Sequence, residues 1–361
     1  MRKLKPSKKL NQLKKHTEVK ISVCYIVKNE EKNLPKSIES VKDQVDEIVV
    51  VDTGSSDNTM EIAKSYGAKI FESAWNNDFS TPRNMAIDNA AGNWIIFLDA
   101  DEYFTKETKD NIRAIVKHAD KNNKEGLLIN LVNIDVDKDN KVLDTTYLLR
   151  IYKKVDNCHY VGRIHEELQK ANGETFTNIS LVPTKFLEIY HTGYSENVNA
   201  DKAKRNLKML LAELELTDQP ERIYGYIAQC YNGLTDIENA EKYAIMDIEG
   251  GRRETTFASS SYRILLHILA KDPKRIEERI KYVIRATKDF PETPEFSAEL
   301  AECYAFQGNY PKAIVEMEIA LKKFASYNSL EPMFFNQETV NLCNKHLGIW
   351  RSKVNEKNQS Y

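Results

Sequence analysis

The stretch with the clearest chemical potential is an apolar run that ends in closely spaced acids, Asn93-Trp94-Ile95-Ile96-Phe97-Leu98-Asp99-Ala100-Asp101-Glu102. Residues two apart on an extended chain point the same way, so the carboxylates of Asp99 and Asp101 could face one cation. Carboxylate oxygens suit Mg²⁺ or Mn²⁺, and such an ion would offset the charge that develops on a leaving nucleoside diphosphate. An isolated Asp-x-Asp is more often a turn or a cap, so its place in the fold must decide.

Two later blocks concentrate histidine, glycine and charge. The first is Val161-Gly162-Arg163-Ile164-His165-Glu166-Glu167, and the second is Ile189-Tyr190-His191-Thr192-Gly193-Tyr194. A single histidine is usually structural, but both of these stand at predicted strand ends. They therefore join the two aspartates as candidate site residues.

Strands alternate with helices in the segment that carries these acids. Predicted strands are Ile21–Val27, Glu47–Val51, Ala68–Glu72 and Asn93–Leu98, and the helices between them are Asn33–Lys42, Thr59–Tyr66 and Pro82–Ala91. This alternation is typical of a largely parallel sheet, whose ligands bind at the carboxyl ends of the strands. The β-rich runs that follow predict a mixed or antiparallel extension of the same sheet: Leu127–Val136, Val142–Tyr152 and Leu181–Tyr190.

From Asn199 onward the pattern is helical, with a weak internal repeat. Ala228-Gln229-Cys230-Tyr231 recurs as Ala301-Glu302-Cys303-Tyr304, about two 36-residue periods later. Small residues at such spacings resemble tetratricopeptide (TPR) repeats, although a plain helical bundle fits equally well. The predicted organisation is a basic leader (1–19), an α/β domain (20–197) and an all-α domain (198–361).

Composition narrows the class of protein. The chain has 361 residues, 41% hydrophobic and 29% charged, and its formal net charge of −2 favours neither nucleic acid nor an anionic membrane as a partner. No run approaches the ~18 apolar residues of a membrane span. The five cysteines are odd in number and include no CxxC pair, which indicates free thiols in a reducing cytoplasm. The basic leader could contact an acidic partner, but a solvated leader is the favoured interpretation.

Four ordered blocks of the α/β segment resemble the family 2 inverting glycosyltransferases, which have the GT-A fold. The blocks are Tyr25-Ile26-Val27-Lys28-Asn29-Glu30-Glu31, Ile48-Val49-Val50-Val51-Asp52-Thr53-Gly54-Ser55-Ser56-Asp57-Asn58-Thr59, Trp75-Asn76-Asn77-Asp78-Phe79-Ser80-Thr81-Pro82-Arg83-Asn84 and the Asp99–Asp101 pair. The resemblance covers about half of the chain. It implies a Rossmann-like GT-A domain, a nucleotide-sugar donor and a Mg²⁺ or Mn²⁺ ion, followed here by a TPR-like all-α domain.

The resemblance also implies which residues bind the donor. Asn29 and Glu30 could hydrogen-bond the base and ribose, Asp52 could accept from a nucleobase N–H, and Arg83 suits a diphosphate, unless it is simply a surface arginine. Asp57 is predicted to cap the helix that begins at Thr59. The full set of expected donor-binding residues is Val27, Asn29, Glu30, Asp52, Gly54, Ser56, Arg83, Asn84, Asp99 and Ala100.

Catalysis and metal binding are expected around the acids and the two histidine blocks. An inverting transfer needs a base for the acceptor's proton, and Glu166 is the candidate, with Glu167 and His165 behind it. Asp101 and Asp99 are the expected metal ligands, completed by His191 or, alternatively, by His165.

The order Arg-Ile-His-Glu, then Tyr-His-x-Gly-Tyr, then helical repeats resembles a subgroup that includes the sublancin-type enzymes, which glycosylate Cys or Ser of bacteriocin precursor peptides. This resemblance implies transfer of a hexose from a UDP-sugar, with UDP-glucose expected, to such a peptide. A saccharide acceptor of the cell envelope and a catalytically weak binding scaffold are the alternatives, and the intact acids speak against the scaffold. The helical domain is expected to bind the acceptor, or a second copy in a homodimer, while the first domain binds the donor.

Overall fold

The structure, a computed structural model, describes residues 18–155, 157–193, 199–251 and 257–359. Almost all of the predicted basic leader, the predicted domain boundary at 197/198 and Tyr194 lie outside the described residues.

The first part of the chain is built on eleven strands and four α-helices within the described residues. The strands are β1 (Ile21–Val27), β2 (Glu47–Asp52), β3 (Lys69–Glu72), β4 (Trp94–Phe97), β5 (Glu102–Phe104), β6 (Gly126–Asp135), β7 (Lys141–Lys153), β8 (His159–Val161), β9 (Glu167–Gln169), β10 (Ile179–Leu181) and β11 (Glu188–His191). The helices are α1 (Leu34–Glu39), α2 (Thr59–Ser65), α3 (Ser80–Asn89) and α4 (Ile112–Lys121).

One mixed sheet contains nine of these strands, in the order β3-β2-β1-β4-β7-β6-β11-β5 with β10 also paired to β6. Strands β1 to β4 are parallel, whereas β7 runs antiparallel to both β4 and β6. The predicted α/β domain with a mixed extension is therefore confirmed. The predicted run Leu181–Tyr190 is divided into β10 and β11, because the chain turns at Pro183, which has no N–H for a ladder.

Both faces of the central strands are buried, which explains why β1 and β4 are apolar along almost their whole length. One face packs against α1, α2 and α4, and the other packs against α3. The indole N–H of Trp94 in β4 donates to Asp120 of α4 at 3.1 Å, so a buried polar atom also joins helix and sheet. These layers fix the carboxyl ends of β1, β2 and β4 at one edge.

The second part of the chain is helical and its helices pair in sequence order. The helices are α5 (Asn199–Leu214), α6 (Tyr224–Gly233), α7 (Ile237–Glu249), α8 (Ser260–Ala270), α9 (Ile276–Asp289), α10 (Pro294–Phe306), α11 (Tyr310–Ala325) and α12 (Gln337–Gln359). The helices form the successive pairs α6/α7, α8/α9 and α10/α11. The second pair begins 36 residues after the first, and the third begins 34 residues after the second. This spacing fits a TPR-like domain and explains the repeat seen in the sequence.

The recurrent small residues lie where the paired helices meet. Ala228 and Ala301 are fully buried in α6 and α10, the first helices of the first and third pairs. The intervening pair carries Ile264-Leu265-Leu266-His267 at the corresponding place in α8, which hides the middle copy from a sequence search. Bulky residues there keep the helical period but lose the small-residue signature.

A small apolar cluster joins the two parts. Ile164 is buried against Met209 and Leu210 of α5 and Ile227 of α6. The imidazole of His165 stacks on the ring of Tyr226 with centroids 3.7 Å apart. No helix in the described part of the chain is long and apolar enough to cross a membrane.

The cysteines provide a test of this core. All five are buried and unpaired, and burial raises the pKa of Cys230, Cys303 and Cys343 to about 11. Because the thiolate is the reactive form, we expect Ellman's reagent to titrate almost no thiol in the native protein and five after denaturation without reductant. Fewer than five after denaturation would reveal a disulfide and contradict the structure.

Candidate active site

Strand register brings the second aspartate and the second histidine block together. Leu98 donates its N–H to Cys24 of β1, and the chain then turns at Ala100 and Asp101 into β5. In the ladder of β5 with β11, Glu102 lies opposite His191. Asp101, which directly precedes β5, therefore lies beside the end of β11.

Asp101 and His191 form a pair with little freedom to move. The Nε2 atom of His191 is 3.2 Å from Oδ2 of Asp101, and its Nδ1 atom is 2.7 Å from the amide oxygen of Asn133 on β6. Burial lowers the pKa of His191, but the carboxylate of Asp101 raises it, and the net direction is upward. Because Nδ1 faces an acceptor, it is the nitrogen that carries a proton for this hydrogen bond. The contact fixes the ring so that Nε2 is directed at Asp101.

Gly193 is the residue that permits this close arrangement. A Cβ atom on Gly193 would overlap Oδ2 of Asp101 and lie 2.7 Å from Nε2 of His191. Thr192, just before it, donates both its N–H and its hydroxyl to the carbonyl of Asp101, each at 3.1 Å. The loop after β11 therefore wraps the turn that carries Asp101.

The pair fits a Mg²⁺ or Mn²⁺ ion that is completed by substrate oxygens. Within the described residues there is no group of three or more His, Cys, Asp or Glu that could hold a metal on its own. Mg²⁺ sites commonly use one or two carboxylates together with substrate phosphates and water. The oriented imidazole and the carboxylate, whose close approach Gly193 permits, are parts that such a site needs.

Asp99 has different partners from Asp101, because the turn separates their directions. Its Oδ1 atom lies 3.1 Å from Nη2 of Arg83, and its Oδ2 atom lies 3.0 Å from Nη2 of Arg150. Burial works against ionisation, but the guanidinium groups of Arg150 and Arg83 prevail and hold the pKa of Asp99 well below its usual range. Its role as a metal ligand stays a prediction.

Arg83 connects the two halves of this charge network. Its Nε atom pairs with Oε1 of Glu166, and its guanidinium lies over the rings of Phe97 and Tyr160, 4.5 and 5.4 Å from the centroids. The Nη1 atom of Arg83 is buried and has no hydrogen-bond partner within the described residues. One donor is thus left available at this position.

A cavity of about 480 Å³ contains most of the predicted site. The cavity is lined by nine of the predicted site residues: Val27, Glu30, Arg83, Asp99, Ala100, Asp101, His165, Glu166 and His191. The cavity lies at the carboxyl edge of the sheet, as expected for an open α/β fold. Glu167, the second candidate base, points elsewhere and pairs with Arg222 of the helical domain.

Five predicted donor-binding residues do not line this cavity. Asn29 accepts from the backbone N–H of Ser56 at 2.8 Å, and Asp52 accepts from those of Gly54 and Ser55, so these residues shape the loop after β2. The other oxygen of Asp52 is buried without a partner within the described residues. The side chain of Asn84 makes two hydrogen bonds with the backbone of Tyr160, which joins α3 to β8.

Several contributors escaped the sequence analysis because they are far away in the chain. Asn133 orients His191, and Arg150 binds Asp99 and the buried Glu102. Helix α5 adds Lys202, Arg205 and Asn206 to the cavity wall. Only Glu102 carried a usable signal, since it follows Asp101 directly.

The α/β segment is similar in sequence to known glycosyltransferases. Residues 22–180 match the family model described as Glycosyl transferase family 2. A TPR repeat-containing protein of Synechococcus elongatus is 30% identical over 257 residues, which are 69% of this chain and 60% of that protein. The prophage-derived glycosyltransferase SunS of Bacillus subtilis is 33% identical over 206 residues, 56% of this chain and 46% of that protein. The chain thus spans about half the length of these curated relatives.

Among solved structures, S. aureus TarS 1–349 aligns with 86% of this chain and 92% of its own, at 18% identity and a TM-score of 0.36. The family 2 resemblance of the α/β segment and the TPR-like character of the helices are both confirmed by the family model and the curated relatives.

The close packing around Gly193 predicts a specific defect. We expect Gly193→Ala to weaken Mn²⁺ binding in the presence of UDP by about 10- to 100-fold, as for other changes next to metal ligands, because the new methyl group displaces Asp101 and His191. Isothermal titration measures this affinity. Gly348→Ala is the matched control, since its Cβ meets nothing within 4 Å. Unchanged Mn²⁺ affinity in Gly193→Ala would show that the ion binds elsewhere.

Proposed function

We propose, since residues 22–180 form a family 2 glycosyltransferase domain, that this protein is an inverting, metal-dependent glycosyltransferase that moves a hexose from a UDP-sugar to a small peptide. The observation that carries the proposal is the cavity in which Asp101 is paired with His191 at the edge of the sheet. UDP-glucose is the donor that we expect, and the cytoplasm, where free thiols persist, is the expected compartment.

Recognition of the nucleoside is assigned to the ends of β1 and β2. The buried oxygen of Asp52 that lacks a partner within the described residues is an acceptor for a ring N–H, which uracil possesses. Val27 and Thr53 line the adjoining cavity. A buried acceptor without a partner is costly, so a donor from the substrate would improve its energy.

Asp101 and His191 would hold the metal ion, and Asn133 would keep the imidazole in the required orientation. When bound, the ion supplies positive charge to a diphosphate leaving group. Arg83, which is buried and retains a donor, adds a fixed charge from the protein itself. Asp99 fixes Arg83 and Arg150 in place and is proposed to face the same substrate.

Glu166 is the proposed general base. The acceptor's sulfur or oxygen attacks the anomeric carbon from the side opposite the diphosphate, and its proton passes to Glu166. The bond from that carbon to the diphosphate oxygen breaks, and its electron pair leaves on the nucleoside diphosphate. The side chain of Glu166 lines the cavity and is positioned by Arg83, whereas Glu167 does not line it. Position therefore favours Glu166 over Glu167.

A Cys or Ser side chain of a ribosomal peptide is the proposed acceptor, as the resemblance to sublancin-type enzymes implies. The cavity wall includes α5 of the helical domain, so a peptide held by the helices would lie near the donor. Helical repeat domains commonly bind extended or helical peptides on a concave face.

The test is direct. The protein is incubated with Mn²⁺, a panel of UDP- and GDP-sugars, peptides that contain Cys or Ser, and cell-envelope saccharides, and the product masses are read. We expect a hexose adduct on a peptide, its loss with EDTA or Asp101→Asn, and full activity in Asp110→Asn, an exposed acid outside the cavity. Adducts on a saccharide alone would overturn the peptide acceptor, and activity in Asp101→Asn with EDTA would overturn the metal role.

The base has its own test. Glu166→Gln keeps the size of the side chain but cannot accept a proton, so kcat with a Ser peptide should fall by roughly 10²- to 10⁴-fold. A Cys peptide should lose less, because a thiol with a pKa of about 8.5 is partly ionised at neutral pH. Glu167→Gln is the matched comparison, and a larger loss in that variant would make Glu167 the base.

A further inference from the structure

The catalytic cavity is not enclosed by the α/β domain alone. Its lining includes Lys202, Arg205 and Asn206, all on the first helix of the helical domain. Lys202 and Arg205 are three residues apart, so they lie on the same face of α5. The cavity is therefore shared between the two domains.

Lys202 reaches the immediate surroundings of the Asp101–His191 pair. Its ammonium group donates to the carbonyl of Gly193 at 3.0 Å. A Cβ atom on Gly193, which would overlap Asp101, would lie 3.2 Å from the same ammonium nitrogen. Lys202 thus stands beside the position where the metal and the substrate's phosphates are expected.

Arg205 stands one turn further along the wall. Its guanidinium lies over the ring of Phe79, 5.6 Å from the centroid, and donates to the side chain of Asn206. Within the described residues it makes no ion pair with a carboxylate. A cation that faces a cavity without such a partner is suited to an anion from solution.

The charges around the cavity lead to the same conclusion. Its described lining has four carboxylates (Glu30, Asp99, Asp101 and Glu166) and four basic side chains (Lys28, Arg83, Lys202 and Arg205). Arg83 already serves both Asp99 and Glu166. Lys202 and Arg205 therefore add positive charge to the part of the wall that α5 forms, where the diphosphate of a donor could bind.

We propose that Lys202 and Arg205 of α5 bind the diphosphate of the nucleotide donor, so that the helical domain forms the second wall of the donor site. This proposal rests on the proposed function. When the bond between the anomeric carbon and the diphosphate oxygen breaks, its electron pair stays on that oxygen. The ammonium and guanidinium groups then stabilise the released nucleoside diphosphate while the acceptor forms the new bond to carbon.

This assignment changes the division of labour expected from the sequence. From the sequence, the first domain alone is expected to bind the donor, and the helices are expected to bind the acceptor. Here donor affinity depends on α5 and on the contacts that keep it against the α/β domain. Those contacts include the cluster of Ile164 with Met209 and Leu210.

The experiment compares the full-length protein with Lys202→Gln/Arg205→Gln by isothermal titration with UDP and with uridine, with and without Mn²⁺. We expect UDP affinity to fall by about 10- to 100-fold, the value of one or two charge-assisted hydrogen bonds, and uridine affinity to stay unchanged because uridine has no phosphate. Lys202→Arg/Arg205→Lys should restore most of the affinity for UDP.

Lys204→Gln/Lys208→Gln is the matched control, since both lysines are exposed on the same helix and neither lines the cavity. It removes the same charge and should change UDP affinity by less than about twofold, because exposed charges are screened. Arg205→Gln alone, at an exposed position, tests the proposal if the double variant unfolds, and a loss of several-fold is expected.

The outcomes distinguish failure of the proposed function from failure of the role proposed for Lys202 and Arg205. If the wild-type protein does not bind UDP, the proposed function fails. If the wild type binds UDP and the α5 variants bind it equally well, the function stands and the role of Lys202 and Arg205 is overturned. An equal loss for uridine would also overturn it, because the defect would then not involve phosphate.

Discussion

The site depends first on one buried guanidinium. Arg83 is almost fully buried in α3, and burial alone would make its charge unfavourable. Two carboxylates, Asp99 and Glu166, compensate for this, and the rings of Phe97 and Tyr160 enclose the guanidinium from the sides. Removal of one partner from a buried ion pair typically costs about 3–5 kcal/mol, so these side chains keep each other in place.

This arrangement divides the work between the two aspartates of the strand end. Asp99 has one guanidinium on each of its oxygens, and it serves as the anchor of Arg83 and Arg150. Asp101 lies beyond the turn and meets only the imidazole of His191 among the ion pairs of the described residues. A carboxylate that is already paired with two arginines has little capacity to bind a further cation, whereas Asp101 retains that capacity.

The sequence predicted those parts of the site that follow from strand ends. The apolar run before Asp99 and the Tyr-His block at His191 each predict a strand that ends at the sheet edge. Asp99 and His191 both line the cavity. Asn133 and Arg150 could not be found in this way, because their roles depend on antiparallel and parallel registers across β6 and β7. The contact of Asn84 could not be foreseen for the same reason, because its partner, Tyr160, comes from a hairpin 76 residues later.

The β8–β9 hairpin connects the helical domain to the candidate site. A two-stranded hairpin is marginally stable by itself, and this one lies outside the main sheet. On one side α3 holds it, through Ser80 on the carbonyl of Gly162 and through Asn84. On the other side Tyr226 stacks on His165. Glu166 lies at the tip of this hairpin, so its position in the cavity is set jointly by the sheet and by the helices. A displacement of α6 would therefore reach the proposed base directly, through one stacked ring.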